Sequence, residues 1–84
     1  SPSGDKQGTL LYLAINAAQH GMIWVGPTDM PEPESGVNRV GSYMGVMGYG
    51  SGENEVDPGD LKSSRLYGRR IAKATHSWSA LWAN

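Results

Sequence analysis

The sequence predicts an α/β fold, the C-terminal portion of a doubly wound parallel sheet. Three observations carry this. Residues 7–20, "QGTLLYLAINAAQH", place apolar side chains at helical spacing on more than one face. "MIWVG" (22–26) is short, continuously apolar and rich in aromatic and β-branched types, the signature of a strand buried on both faces. "DPGDLKSS" opens a second helical run with capping residues in order. A helix, a tight glycine turn and a buried strand make half of a βαβ unit. One strand cannot make a sheet, so the chain either pairs with partners or is the C-terminal part of a larger α/β domain.

Residues 1–9, "SPSGDKQGT", are small, polar and charged. Such a stretch presents backbone N–H groups at a helix start and suits an anion or the edge of a cofactor. In the helix expected over 7–20, Leu10, Leu13, Ala14 and Ala17 form one stripe, and Leu11, Ile15 and Ala18 a second. A helix apolar nearly all round is buried on more than one side. Gly21 stands where a C-terminal cap is expected, and Pro27 ends the strand expected over 22–26.

From 27 to 57 the chain reads as one long loop, with Pro27, Pro31, Pro33 and six glycines. Loops of this length are uncommon and usually functional or disordered. The apolar residues between the glycines of "NRVGSYMGVMGYG" suggest an ordered excursion lying against something. A helix is then expected over 58–77. Asp57 is its N-cap, Pro58 its first residue, and Asp60 an acid in the favourable first turn. Small residues at Ser64, Gly68 and Ala72 would let it approach a sheet closely.

At 84 residues the chain holds one domain at most, and folding alone is marginal at that size. The absence of Cys removes disulfides and Cys-based metal sites, and fits a reducing compartment. A formal net charge of −1 gives no reason to expect nucleic acid, and no apolar run is long enough to span a bilayer. Charge is placed unevenly. Seven acids and a single base, Arg39, lie between Asp29 and Asp60; five bases and no acid follow from Lys62 on. A solvated acidic loop followed by a helix with basic residues suited to its dipole explains this pattern. A basic site for a phosphorylated ligand explains it as well.

No catalytic constellation is visible. "SPSGDKQGT" is not a P-loop, and "GVMGYG" has its glycines in the wrong order for a dinucleotide fingerprint. Two histidines without Cys leave no strong metal set, so no metal is expected. His20, just before Gly21, is either a helix C-terminal histidine or a hydrogen-bond donor to a ligand at a sheet edge. Any chemistry would fall to a cofactor.

Three stretches, "SPSGDKQGT", "AQHGMIWVGP" and "GDLKSSRLYGRRIAKAT", resemble the C-terminal part of the flavodoxin-like NAD(P)H:quinone oxidoreductases, the WrbA-type FMN flavoproteins. The resemblance spans almost the whole chain. It implies a flavodoxin-like sheet, FMN as cofactor, NAD(P)H as co-substrate and a quinone-like acceptor. It also implies a cytoplasmic homo-oligomer, dimer or tetramer, and an N-terminal part of the domain bearing the first phosphate loop and first strands. The flavin-edge loop of that family falls on Ser1, Pro2, Ser3, Gly4, Asp5 and Lys6, and a flavin-contacting histidine on His20. Two departures stand out. "GDKQG" replaces the usual Gly-Gly-Gln-Glu run, and "NRVGSYMG" stands where the family has Pro-Tyr-Gly. A flavodoxin-like electron carrier or FMN-binding module without nicotinamide chemistry is the second expectation. A small adaptor without cofactor is the third.

Overall fold

The computed structural model describes residues 4–48, 50 and 56–82. Two helices stand in it, α1 (Gly4–Gln19) and α2 (Pro58–Trp82), joined by a long excursion that packs on the start of α2.

α1 begins three residues ahead of the expected start and takes in most of the loop expected over 1–9. Asp5 and Lys6 suit a helical first turn. A glycine costs about 1 kcal/mol in a helix interior, and an acid in the first turn complements the helix dipole. The C-terminus closes as the glycine signal predicts. Gly21 takes a left-handed φ of 74°. Its N–H donates to the Ala18 carbonyl at 3.0 Å, and that of Met22 to Ala17 at 2.9 Å. This pair of bonds is a Schellman motif and satisfies two orphan carbonyls.

α2 starts as expected. The Asp57 carboxylate accepts from the Gly59 N–H at 2.8 Å, and the Asp57 carbonyl from the N–H groups of Asp60 and Leu61. Pro58 occupies the first helical position, where its missing N–H costs nothing. The helix runs five residues past the expected end at 77. "HSWSALW" contains neither Gly nor Pro to stop it.

Residues 22–26 make no ladder, and no strand is present among the described residues. A strand is defined by its pairing, and this segment has no second strand to pair with. It instead lies along α2, where the Tyr67 hydroxyl donates to the Val25 carbonyl and Arg70 Nε to that of Gly26 at 2.7 Å. The Trp24 indole N–H reaches across to the Met44 carbonyl at 2.7 Å.

The core is small and belongs to the excursion. Val37 and Met47 are its buried apolar side chains, and Asn38, Ser42, Asp60 and Ser63 its buried polar ones. Every buried side-chain polar atom among the described residues has a partner. Asn38 is the hub. Its N–H donates to Ser63 Oγ, its amide Nδ2 donates to the Asp29 carbonyl, and its Oδ1 accepts from the Ser42 N–H, each at 2.8 Å. It does so at φ 47°, a left-handed conformation that Asn tolerates better than most residues.

α1 and α2 do not pack on each other. α1 meets the excursion where Leu10 lies against Gly45. Leu11, Tyr12, Leu13 and Ile15 are exposed, so the second stripe of α1 is uncovered in this chain, while Leu10, Ala14 and Ala17 of the first are half-buried. The radius of gyration is 14.4 Å, against about 12 Å for a compact domain of this length. The accessible surface is 6249 Å², against about 4,900 Å² for a compact 9.0 kDa monomer.

Candidate functional site

Of the residues expected to face a flavin, Ser1, Pro2 and Ser3 lie outside the described residues. Gly4, Asp5 and Lys6 form the first turn of α1. That turn carries N–H groups with no acceptor within the helix, the usual basis of anion affinity at a helix start. The side of the helix at Gly8 is open, with nothing within 4 Å of where a Cβ would stand. His20 is exposed and sits one residue beyond the other end of α1, where its N–H closes on Asn16 and Ala17. At 1.5 Å per residue the two groups are about 20–24 Å apart along the helix. The structure therefore does not bring His20 together with Gly4, Asp5 and Lys6, and one planar ring cannot touch both ends.

The most organised polar arrangement lies elsewhere. Arg39 makes a two-pronged contact with Asp60, Nε to Oδ1 at 2.8 Å and Nη2 to Oδ2 at 2.7 Å. Asp57 Oδ1 lies 3.6 Å from the same Nε. Forked pairing of this kind combines charge with fixed direction. The Ser63 hydroxyl, which accepts from Asn38, donates to the Gly59 carbonyl at 2.8 Å. The signal for this cluster was the single base in an acidic stretch. Its partner, Asp60, carries a second role besides its place in the first helical turn.

Two grooves border the 22–29 segment. One is apolar, lined by Ile23, Trp24, Tyr67, Ile71 and Trp78 among others. The second is basic, lined by Arg69, Arg70 and Lys73 with Asp29, Leu66, Ala74 and Ser77. No group of three or more His, Cys, Asp or Glu that could hold a metal ion occurs among the described residues. No helix among them is long and apolar enough to cross a membrane.

Burial pushes the Tyr67 phenol above its ordinary value of 10.0, and the nearby Arg70 guanidinium partly offsets this. The neutral phenol is the form that donates to Val25. The folded state therefore holds this proton more tightly than the unfolded chain. Its contribution is fully present below pH 10 and is lost as pH rises through the raised value. Tyr67→Phe should cost about 1 kcal/mol at pH 8 and remove this alkaline dependence. Urea unfolding at pH 8 and pH 11 for both forms checks it.

No protein-family model matches the chain, and no solved structure matches it. Two curated proteins do. Flavodoxin FldP of Pseudomonas aeruginosa is 31% identical over 81 residues, covering 87% of this chain and 44% of that protein. An NAD(P)H dehydrogenase (quinone) of Archaeoglobus fulgidus is 35% identical over 72 residues, covering 86% of this chain and 34% of that protein. The chain thus spans less than half the length of either relative. Over most of its own length it is similar to a flavodoxin and to a quinone-reducing NAD(P)H dehydrogenase.

Proposed function

We propose that this sequence is the C-terminal part of a flavodoxin-like FMN oxidoreductase of the WrbA type, whose whole form passes two electrons from NAD(P)H to a quinone-like acceptor. The observation that carries the reading is the similarity, over 86–87% of this chain, to proteins named for those two properties. In this reading 22–26 is a strand of a parallel sheet completed by an N-terminal part. The exposed apolar residues of α1 meet that sheet and a second subunit, in a cytoplasmic dimer or tetramer.

The residues present fit a flavin edge at one place. The first turn of α1 offers backbone donors beside the open side at Gly8. Backbone N–H groups of Gly4, Asp5 and Lys6, with the preceding Ser1–Ser3 stretch, would hold and orient the ring edge. FMN, when bound, supplies the two-electron chemistry. His20 takes no part in that contact within one chain, because α1 separates it from the first turn. Its backbone role is to close the helix end.

The flavodoxin relative favours a second reading, an electron carrier with the same cofactor and no nicotinamide step. FMN titration followed by flavin fluorescence tests what the two readings share. The whole protein should quench FMN at micromolar concentration or better, and the 84-residue chain alone should not. Absence of quenching by the whole protein would contradict both.

A further inference from the structure

The basic groove on α2 is the feature that the flavin reading leaves unused. Leu66, Arg69, Arg70, Lys73, Ala74 and Ser77 fall at i, i+3, i+4, i+7, i+8 and i+11, so they share one face of the helix. The segment after Gly26 forms the opposite wall through Asp29, and the space between is about 440 Å³. That is the size of a small-molecule cleft.

Three features separate this groove from an ordinary solvated helix face. First, its cations make no ion pair with any described carboxylate; the ion pairs among the described residues involve Arg39 with Asp57 and Asp60. The acids nearest in sequence are already committed to the start of α2. Second, Arg70 is anchored. Its Nε donates to the Gly26 carbonyl at 2.7 Å, which fixes the plane of the guanidinium and leaves its terminal nitrogens directed elsewhere. An anchored fork loses less entropy on binding than a free side chain. Third, the Ser77 hydroxyl adds a neutral donor one helical turn beyond Lys73. The groove shares only Ala74 with the apolar groove alongside. A sheet built onto 22–26 could fill the apolar one and leave the cations in place.

We propose that this groove is an anion site that takes a phosphorylated small molecule by its phosphate group, with Arg69, Arg70 and Lys73 as the ligating cations and Ser77 as a hydrogen-bond donor. Asp29 faces the same space and opposes a phosphate. Its carboxylate sets the affinity low and favours ligands that place a hydroxyl beside the phosphate. The inference does not depend on the flavin reading.

The test is titration of the full chain with inorganic pyrophosphate at constant ionic strength, followed by ¹⁵N NMR, with chloride as the comparison anion. Pyrophosphate should shift the Arg69, Arg70 and Lys73 signals and chloride should not. The double variant Arg69→Gln, Lys73→Gln, which leaves the Arg70 anchor intact, should weaken binding roughly tenfold or more. Asp29→Asn should strengthen it roughly threefold; it preserves the main-chain carbonyl that Asn38 uses. Lys62→Gln, outside the groove, should leave it unchanged. Equal shifts with chloride, unchanged affinity in the double variant, or no gain from Asp29→Asn would each overturn the proposal. So would binding to vesicles containing phosphatidic acid without binding of pyrophosphate.

Discussion

Replacing Arg39 by methionine should lower the unfolding free energy by about 3 kcal/mol. The reason is what the substitution leaves behind. Asp60 is only 5% exposed, and its two carboxylate oxygens receive Arg39 Nε and Nη2 at 2.8 and 2.7 Å. Losing the guanidinium removes two charged donors from a buried carboxylate, which costs more than the pair itself contributes. Arg39 keeps 23% of its side chain exposed, so water can reach part of the gap, and the cost falls at the low end for such pairs. Adding Asp60→Leu to Arg39→Met should recover roughly half of the loss, since two apolar groups strand no charge. Urea unfolding followed by tryptophan fluorescence reads this, with Trp24 held to the excursion through Met44. A loss below about 0.5 kcal/mol in Arg39→Met, the range of an exposed pair, would show that the cluster is not a buried anchor.

Gly59→Ala should be about as damaging, near 3 kcal/mol, although alanine is the better helix former. A Cβ on Gly59 would stand 2.4 Å from the Gly36 carbonyl oxygen and 2.7 and 2.8 Å from its C and Cα. These are backbone atoms, and Gly36 is itself held at φ 73°. Neither side can yield without moving the excursion off α2. Gly68→Ala is the control in the same helix. Nothing lies within 4 Å of its Cβ position, so the change should stabilise the chain by about 1 kcal/mol through helix propensity alone. Thermal unfolding of the two variants should therefore move in opposite directions. Equal and small effects would mean that the Gly36–Gly59 approach does not hold the excursion in place.

The parts of this fold that were legible in sequence are those written locally. Asp57 and Pro58 mark a helix start, and Gly21 a helix end, because capping is decided within a few residues. The polar core was not legible. Asn38 reaches Ser63, and Arg39 reaches Asp60, over 25 and 21 positions of chain that carry no periodic signal. Gly59 lies in the capping sequence that opens α2, while its actual constraint is a carbonyl 23 residues upstream. The 22–26 segment shows the opposite case. Its composition is that of a buried strand, but a strand is a relation between two segments, and here the available partners are the side chains of α2. For the candidate site, the loop expected over 1–9 is helical from Gly4 on, and residues 1–3 lie outside the described residues. The helix starts at Gly4, upstream of the expected position 7, with Asp5 as an acid in its first turn. His20 was matched by motif alone, and the length of α1 separates it from the rest of the set.

The most direct test of the functional account is anaerobic stopped-flow mixing of the whole FMN-loaded protein with NADPH and, separately, with NADH. The account predicts bleaching of the flavin absorbance by one of them with the stoichiometry of a two-electron reduction, and recovery of the absorbance on adding a quinone. A protein that binds FMN but is bleached by neither nucleotide would contradict the oxidoreductase reading and leave the electron carrier in its place.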